Sequence, residues 1–314
     1  LTGNVELLKQ TNESGMLFDA MLDLAHVAGD APDQQYVQDA LSQIEHLPEL
    51  RATTENRIVR QATVQARLLR RLGRIPEASA VITTALDAAR REPSVSPRLR
   101  ESLFAVASLV ARDTGSSEAV FEYELAALEA SRLARGDHPD SQLLITMISA
   151  ADGAIEVGNF SQAEAILLEA EPILMENFGI NSLMHARILS AQGRLRFAKG
   201  DYHKAIPDLR MAVDILRDCS SFNRSEMAAP LLHLAQAAYF LGHYREAMDS
   251  IREAYEIDLQ QFGSDHPETL YDAMIMEGLA IMAVLDGIDD TYWKHLPINQ
   301  DIRRRIDDLR RPRN

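Results

Sequence analysis

The chain has 314 residues, 46% hydrophobic and 25% charged, with a formal net charge of −15. That balance suits a folded chain, and the negative excess argues against general attraction to phosphate backbones. No apolar run nears the ~20 residues of a membrane span, and a lone cysteine, Cys219, rules out an internal disulfide and points to a reducing, cytoplasmic compartment.

The first residues, LTGNVELLKQTNESG, show neither an initiator methionine nor a basic-then-apolar leader, which predicts a cut within a longer polypeptide. MLFDAMLDLAHVAGD and DQQYVQDALSQIEHL then read as two helices. We assign residues 1–50 to a degenerate capping unit, with Tyr36 lying 42 residues before Ala78. Residues 51–100 hold eleven arginines against Glu55, Glu77, Asp87 and Glu92, a balance of +7 in a chain that is otherwise strongly acidic.

From here a motif recurs: GRIPEA at 73–78, GNFSQA at 158–163, GDYHKA at 200–205 and GHYREA at 242–247. Each has a glycine, a bulky apolar residue two later and an alanine five later. DTGSSEA is a weaker copy ending at Ala119. The closing alanines Ala78, Ala119, Ala163, Ala205 and Ala247 are 41, 44, 42 and 42 residues apart, and Ala85, Ala126, Ala170, Ala212 and Ala254 follow each by seven. A period in this range predicts stacked helical hairpins. The glycine would end helix A in the left-handed region. Small residues on helix B would let its neighbours approach closely. Connectors recur too, with Pro97, Pro139, Asn181, Asn223 and Pro267 near the same ruler, and Ser96, Asp140 and Asp265 are placed to cap the helices that follow. Residues 291–314 complete the chain, with Trp293 expected to cover the last apolar helix and INQDIRRRIDDLRR expected as a polar capping helix before a basic tail.

This glycine–aromatic–alanine pattern resembles the tetratricopeptide repeat, and the long period with its DHPDSQ and DHPETL connectors is similar to the kinesin-light-chain subtype. The resemblance covers about residues 52–290, within a predicted array at 51–290. It implies an all-α, right-handed superhelix (a solenoid) of about five to six hairpins whose A helices line a concave groove. HEAT-like repeats of similar length are the alternative, but they give no reason for the glycine-to-alanine spacing.

Catalytic signatures are missing from the sequence. It has no phosphate loop, dinucleotide fingerprint or nucleophile elbow, and its nine histidines have no metal-ligand spacing. The expectation is no enzymatic activity, no cofactor and no metal. The basic tail RRRIDDLRRPRN lacks interleaved aromatics, so nucleic acid is not the expected partner.

One constellation stands out. On the helix expected at 56–72, Arg57, Arg67 and Arg71 fall within about 60° of Arg60, while Ile58, Ala62, Ala66, Leu69 and Leu72 lie roughly 120–240° away. The resemblance places Arg60, Thr63, Arg67, Arg70 and Arg71 along the groove, followed in later units by Ile148, Asp152, Arg187, Ser190, Arg194, Phe197, Gln236 and Tyr239. Where relatives often carry a mid-helix asparagine that grips peptide backbone, this chain has Arg67, Ser108, Asp152, Arg194 and Gln236. The stripe is either a solvated face or a row of guanidinium groups set to receive carboxylates. The expected function is a scaffold for signalling that binds a protein or peptide, acidic in character, within a larger bacterial regulatory protein. The alternative is a sensing domain attached to a kinase or DNA-binding output, and self-association through the charge asymmetry is a third reading.

Overall fold

In the computed structural model the described residues are 34–45, 55–136, 138–218, 224–264 and 266–285. The expected helix at 16–30, Cys219, Asp265, Trp293 and the C-terminal segment 291–314 lie outside them. The described residues contain twelve α-helices, one short 3₁₀ turn and no strand. The chain divides into two compact units, Leu1–Val157 and Gly158–Asn314.

In the first unit, α1 (Gln34–Glu45) packs on α2 (Glu55–Arg71), which forms a hairpin with α3 (Ile75–Arg91). A second hairpin joins α4 (Pro97–Asp113) to α5 (Ser117–Arg135), and α6 (Ser141–Glu156) packs on α5. Contacts also run from α2 to α4, so alternate helices stack on one another. In the second unit, α7 (Phe160–Asn177) packs on α8 (Leu183–Ala198). Hairpins follow from α8 to α9 (Tyr202–Asp218) and from α10 (Ala228–Phe240) to α11 (Tyr244–Phe262), and α12 (Pro267–Leu285) packs on α11. Here too α8 meets α10, two elements along.

The corners form for the reason that the motif suggests. Gly73, Gly115, Gly158, Gly200 and Gly242 all have φ between +74° and +78°. At the first of them Gly73 N–H bonds to the Arg70 carbonyl at 2.9 Å and Arg74 N–H to that of Leu69 at 2.9 Å. The same 5→2 and 6→1 pair closes the turns at Gly115, Gly200 and Gly242, which is a Schellman stop. Helix starts are capped as expected: Ser96 accepts from Leu99 N–H at 3.3 Å and Asp140 from Leu143 N–H at 3.0 Å. Ser182 caps α8 in the same way.

Helix B then buries its small residues. Ala78, Ala85, Ala163, Ala170, Ala205, Ala212, Ala247 and Ala254 are all 0–1% exposed. The weak copy behaves differently. Ala119 and Ala126 are only half-buried, whereas Val120 and Ala127 are 1% and 3% exposed. The expected alignment of Ala119 and Ala126 with the other closing alanines is therefore wrong by one residue. Its physical reason is the cap: Gly115 fixes where α5 begins, so the residue five places after the glycine faces inward whatever its type.

Candidate functional site

The predicted groove residues divide between the two units: in the first they lie on α2 and α6, and in the second on α8 and α10. In the first unit Arg60, Arg67 and Arg70 on α2 are half-buried and Arg71 is exposed. The stripe is narrower than the helical wheel implies. Val64 and Leu68, on the arginine side, are 6% and 0% exposed, because α2 is covered by α1 and α4 as well as by α3. Thr63, expected along the groove, is buried and donates its hydroxyl to the Val59 carbonyl at 2.7 Å. Arg70 is engaged: its Nε and Nη2 bond to the two Asp113 oxygens at 2.6 and 3.2 Å. That bidentate pair ties α2 to α4.

At the other end of this unit, Asp152 is half-buried on α6 beside a carboxylate that sequence reasoning missed. Glu124 on α5 is 6% exposed. One oxygen accepts from Ser108 Oγ at 2.9 Å and from Arg112 Nη2 at 3.0 Å, and Arg112 also holds Glu156 at 2.7 Å. Burial pushes the Glu124 carboxyl up, against the lowering effects of Ser108 and Arg112, and the Asp152 charge adds to the rise. The second oxygen lies against Gly153, where a Cβ would come within 2.2 Å of it. So Ser108, expected as a mid-groove residue, is buried and serves Glu124 instead.

In the second unit the candidates gather on α8 and α10. Arg187 makes a bidentate pair with Glu226 at 2.7 and 2.8 Å, which anchors the 3₁₀ turn Arg224–Met227 to α8. Ser190, Arg194, Gln236 and Tyr239 are half-buried. Phe197 is the hub of an aromatic cluster, with ring centroids 5.5 Å from Tyr202, 5.8 Å from His233 and 6.2 Å from Phe240. Tyr202 and Phe240 stack at 4.6 Å, and Tyr239 meets Tyr244 edge-on at 5.7 Å. Tyr202 and Tyr244 are the motif aromatics, so the corner plug and the groove surface are one cluster. His233 was not foreseen. Its Nδ1 lies 2.9 Å from the Ala229 carbonyl, and burial, with Arg194 near, brings its pKa down to about 4. The ring is therefore neutral at pH 7, with Nδ1 as the donor.

Away from these faces, a cavity of about 740 Å³ lies between α9, α10 and α11, floored by Val213, Leu231 and Leu234 and rimmed by the Arg210–Glu246 pair at 2.6 Å. Among the described residues no three side chains are grouped to hold a metal ion, and no helix is long and apolar enough to cross a membrane.

Comparisons with known proteins accord with this geometry. The family model described as "Tetratricopeptide repeat" matches residues 228–261, the α10–α11 hairpin. Among solved structures, BtubC (BKLC) from P. vanneervenii matches with a TM-score of 0.54 at 18% identity, over 74% of this chain and 92% of that one. NprR in complex with its cognate peptide NprX gives 0.58 at 12%, over 98% and 85%. The APC/C hetero-tetramer Cut9–Hcn1 gives 0.55 at 14%, over 91% of this chain and 48% of that one. These likenesses show a shared fold. No curated protein matches the sequence.

Proposed function

Because the chain carries a tetratricopeptide repeat and folds as tetratricopeptide-repeat proteins do, we propose that it is a non-enzymatic scaffold that captures a protein or peptide on the first helices of its hairpins. The carrying observation is the half-buried state of Arg60, Arg67, Asp152, Arg194, Phe197, Gln236 and Tyr239. Side chains sealed in a core cannot recognise a partner, and fully solvated ones lose most of their gain to water. Half-buried side chains within each unit stand between these extremes, on a fixed base. Two of the solved neighbours are complexes with such partners: NprR with its cognate peptide NprX, and the Cut9–Hcn1 hetero-tetramer.

Within this reading Arg60, Arg67 and Arg71 favour an acidic partner in the first unit, while Arg70 and Arg187 hold the scaffold through their own carboxylates. In the second unit the aromatic cluster around Phe197 supplies apolar contact area, and Arg194, Gln236 and Tyr239 orient the bound segment. The kinesin-light-chain-like form of the repeat belongs to the same proposal, supported by motif glycines 42 to 43 residues apart. So does its place in a larger, cytoplasmic bacterial regulatory protein, which the full-length reading frame would test.

The direct test is fluorescence anisotropy with a labelled, glutamate-rich extended peptide. Replacing Arg67 and Arg71 by glutamate should weaken binding by about tenfold or more at low salt. Unchanged affinity would remove the acidic-partner reading.

A further inference from the structure

Two acids are buried between α11 and α12 without a cation to hold them. Asp258 on α11 is 6% exposed and Asp272 on α12 is 3% exposed. Asp272 Oδ2 and, one turn earlier, Thr269 Oγ1 are buried with no hydrogen-bond partner. The charges acting on Asp272 are those of Asp258, across the interface, and Glu268, in the first turn of α12, and both have its own sign. Asp258 in turn feels Glu268, with only His266 of the connector acting in the opposite sense. No lysine or arginine among the described residues acts on either acid. Buried acids in the first unit are held differently: Arg135 bonds to Glu101 at 2.8 Å and Arg112 to Glu124 at 3.0 Å. A buried carboxylate without such a partner is costly, so the interface favours the protonated form. α12 is also less firmly held than the helices before it. Earlier first helices stack on one another, α2 on α4 and α8 on α10, whereas α12 leans chiefly on α11. Its Met276, Leu279 and Ala280 cluster with Ala247, Met248 and Ile251 from its middle onward, while Thr269 and Asp272 occupy its first two turns.

We propose that Asp258 and Asp272 form a pH-sensitive latch, which holds α12 on α11 while the pair keeps a proton and lets α12 go once both carboxyls ionise. The latch belongs to the second unit and does not depend on what the groove binds. Its sign follows from burial. In the docked helix the Asp272 carboxyl is pushed up to about 7, and in a released, solvated helix it returns to the ordinary value near 4. The docked state therefore binds the proton more tightly. Docking is strongest below about pH 4, weakens about tenfold per pH unit towards pH 7, and levels off above it. From pH 5 to pH 8 the docking equilibrium falls by about a hundredfold. Release is local, because an element with few neighbours opens at less cost than the whole fold.

Hydrogen exchange of the full chain, followed by mass spectrometry and corrected for the intrinsic pH dependence of exchange, tests the latch. Protection of α12 should fall by about a hundredfold from pH 5 to pH 8, while the α8–α9 hairpin loses far less. Asp272→Asn, a neutral isostere of the protonated acid, should keep α12 protected across that range. Asp258→Asn should retain the transition but move its midpoint to lower pH, since Asp272 stays buried and loses a neighbouring charge. Circular dichroism confirms that each variant is folded. Protection of α12 that does not change with pH would overturn the proposal. So would equal loss from α8 through α12, which is global unfolding, or a transition that survives Asp272→Asn unchanged. Should Asp272→Asn fail to fold, Asp258→Asn carries the test by itself, and an unmoved midpoint would overturn the latch.

Discussion

Gly193 offers a sharp test of how closely α8 and α9 pack. A Cβ at this position would lie 2.5 Å from Leu209 Cγ and 2.7 Å from Cδ2, with the Ala205 carbonyl oxygen at 3.4 Å. Ordinary carbon contacts sit at about 3.5–4.0 Å, so the overlap is about an ångström. Leu209 is 0% exposed, so it can give way only by shifting within the core. The substitution Gly193→Ala should therefore cost about 1–3 kcal/mol in overpacking, offset by about 1 kcal/mol from the better helix propensity of alanine. Gly278 on α12 supplies the control, because a Cβ there meets nothing within 4 Å. Gly278→Ala gains the same propensity with no clash. Propensity cancels between the two variants, and their difference in unfolding free energy isolates the packing term at about 1–3 kcal/mol. Urea unfolding followed by circular dichroism reads it directly. Adding Leu209→Ala to Gly193→Ala should recover about 1 kcal/mol or more relative to additivity. Equal stabilisation by both glycine substitutions would refute the close contact of α8 with α9.

Two further outcomes follow from buried groups. Asp272 is 3% exposed, and its carboxyl is pushed up to about 7 by burial first and then by the charges of Asp258 and Glu268. A carboxyl raised in the folded state favours folding when protonated, so its contribution is full below the unfolded value near 4 and is lost as pH rises through about 7. Urea unfolding across that window should show stability falling by a few kcal/mol at most, and Asp272→Asn should flatten the slope; an unchanged slope would show that the group is not desolvated. The register of the weak repeat is tested by size. Ala163→Leu, at a 0% exposed site, should cost about 1–3 kcal/mol in the same assay, while Ala119→Leu should stay within about 0.5 kcal/mol. Equal costs would restore Ala119 to the buried frame.

Legibility in the sequence tracked how local the physics was. The corners at Gly73, Gly158, Gly200 and Gly242 could be read directly, since a left-handed stop is decided within six residues. The caps Ser96 and Asp140 were readable for the same reason. The weak corner was misread because the eye follows alanine, whereas the backbone follows the cap at Gly115. The arginine stripe was found, but its extent was not. A helical wheel knows one helix, and the burial of Val64 and Leu68 comes from α1 and α4.

The same division holds for the candidate site. Arg60, Arg67 and Arg71 could be placed on one face from spacing alone. That Arg70 is held by Asp113, 43 residues on, and Arg187 by Glu226, 39 on, could not. Glu124 and Asp272 look like ordinary surface acids until helices close over them, and His233 until Phe197 lies against it. The chain's own order of residues thus determined a repeating all-α architecture, because turns, caps and helical periods are short-range hydrogen-bonding and steric choices. The tertiary structure alone decided that Arg70 and Arg187 are spent on the scaffold and which acids are desolvated, because those depend on neighbours that the chain brings together only when its hairpins stack.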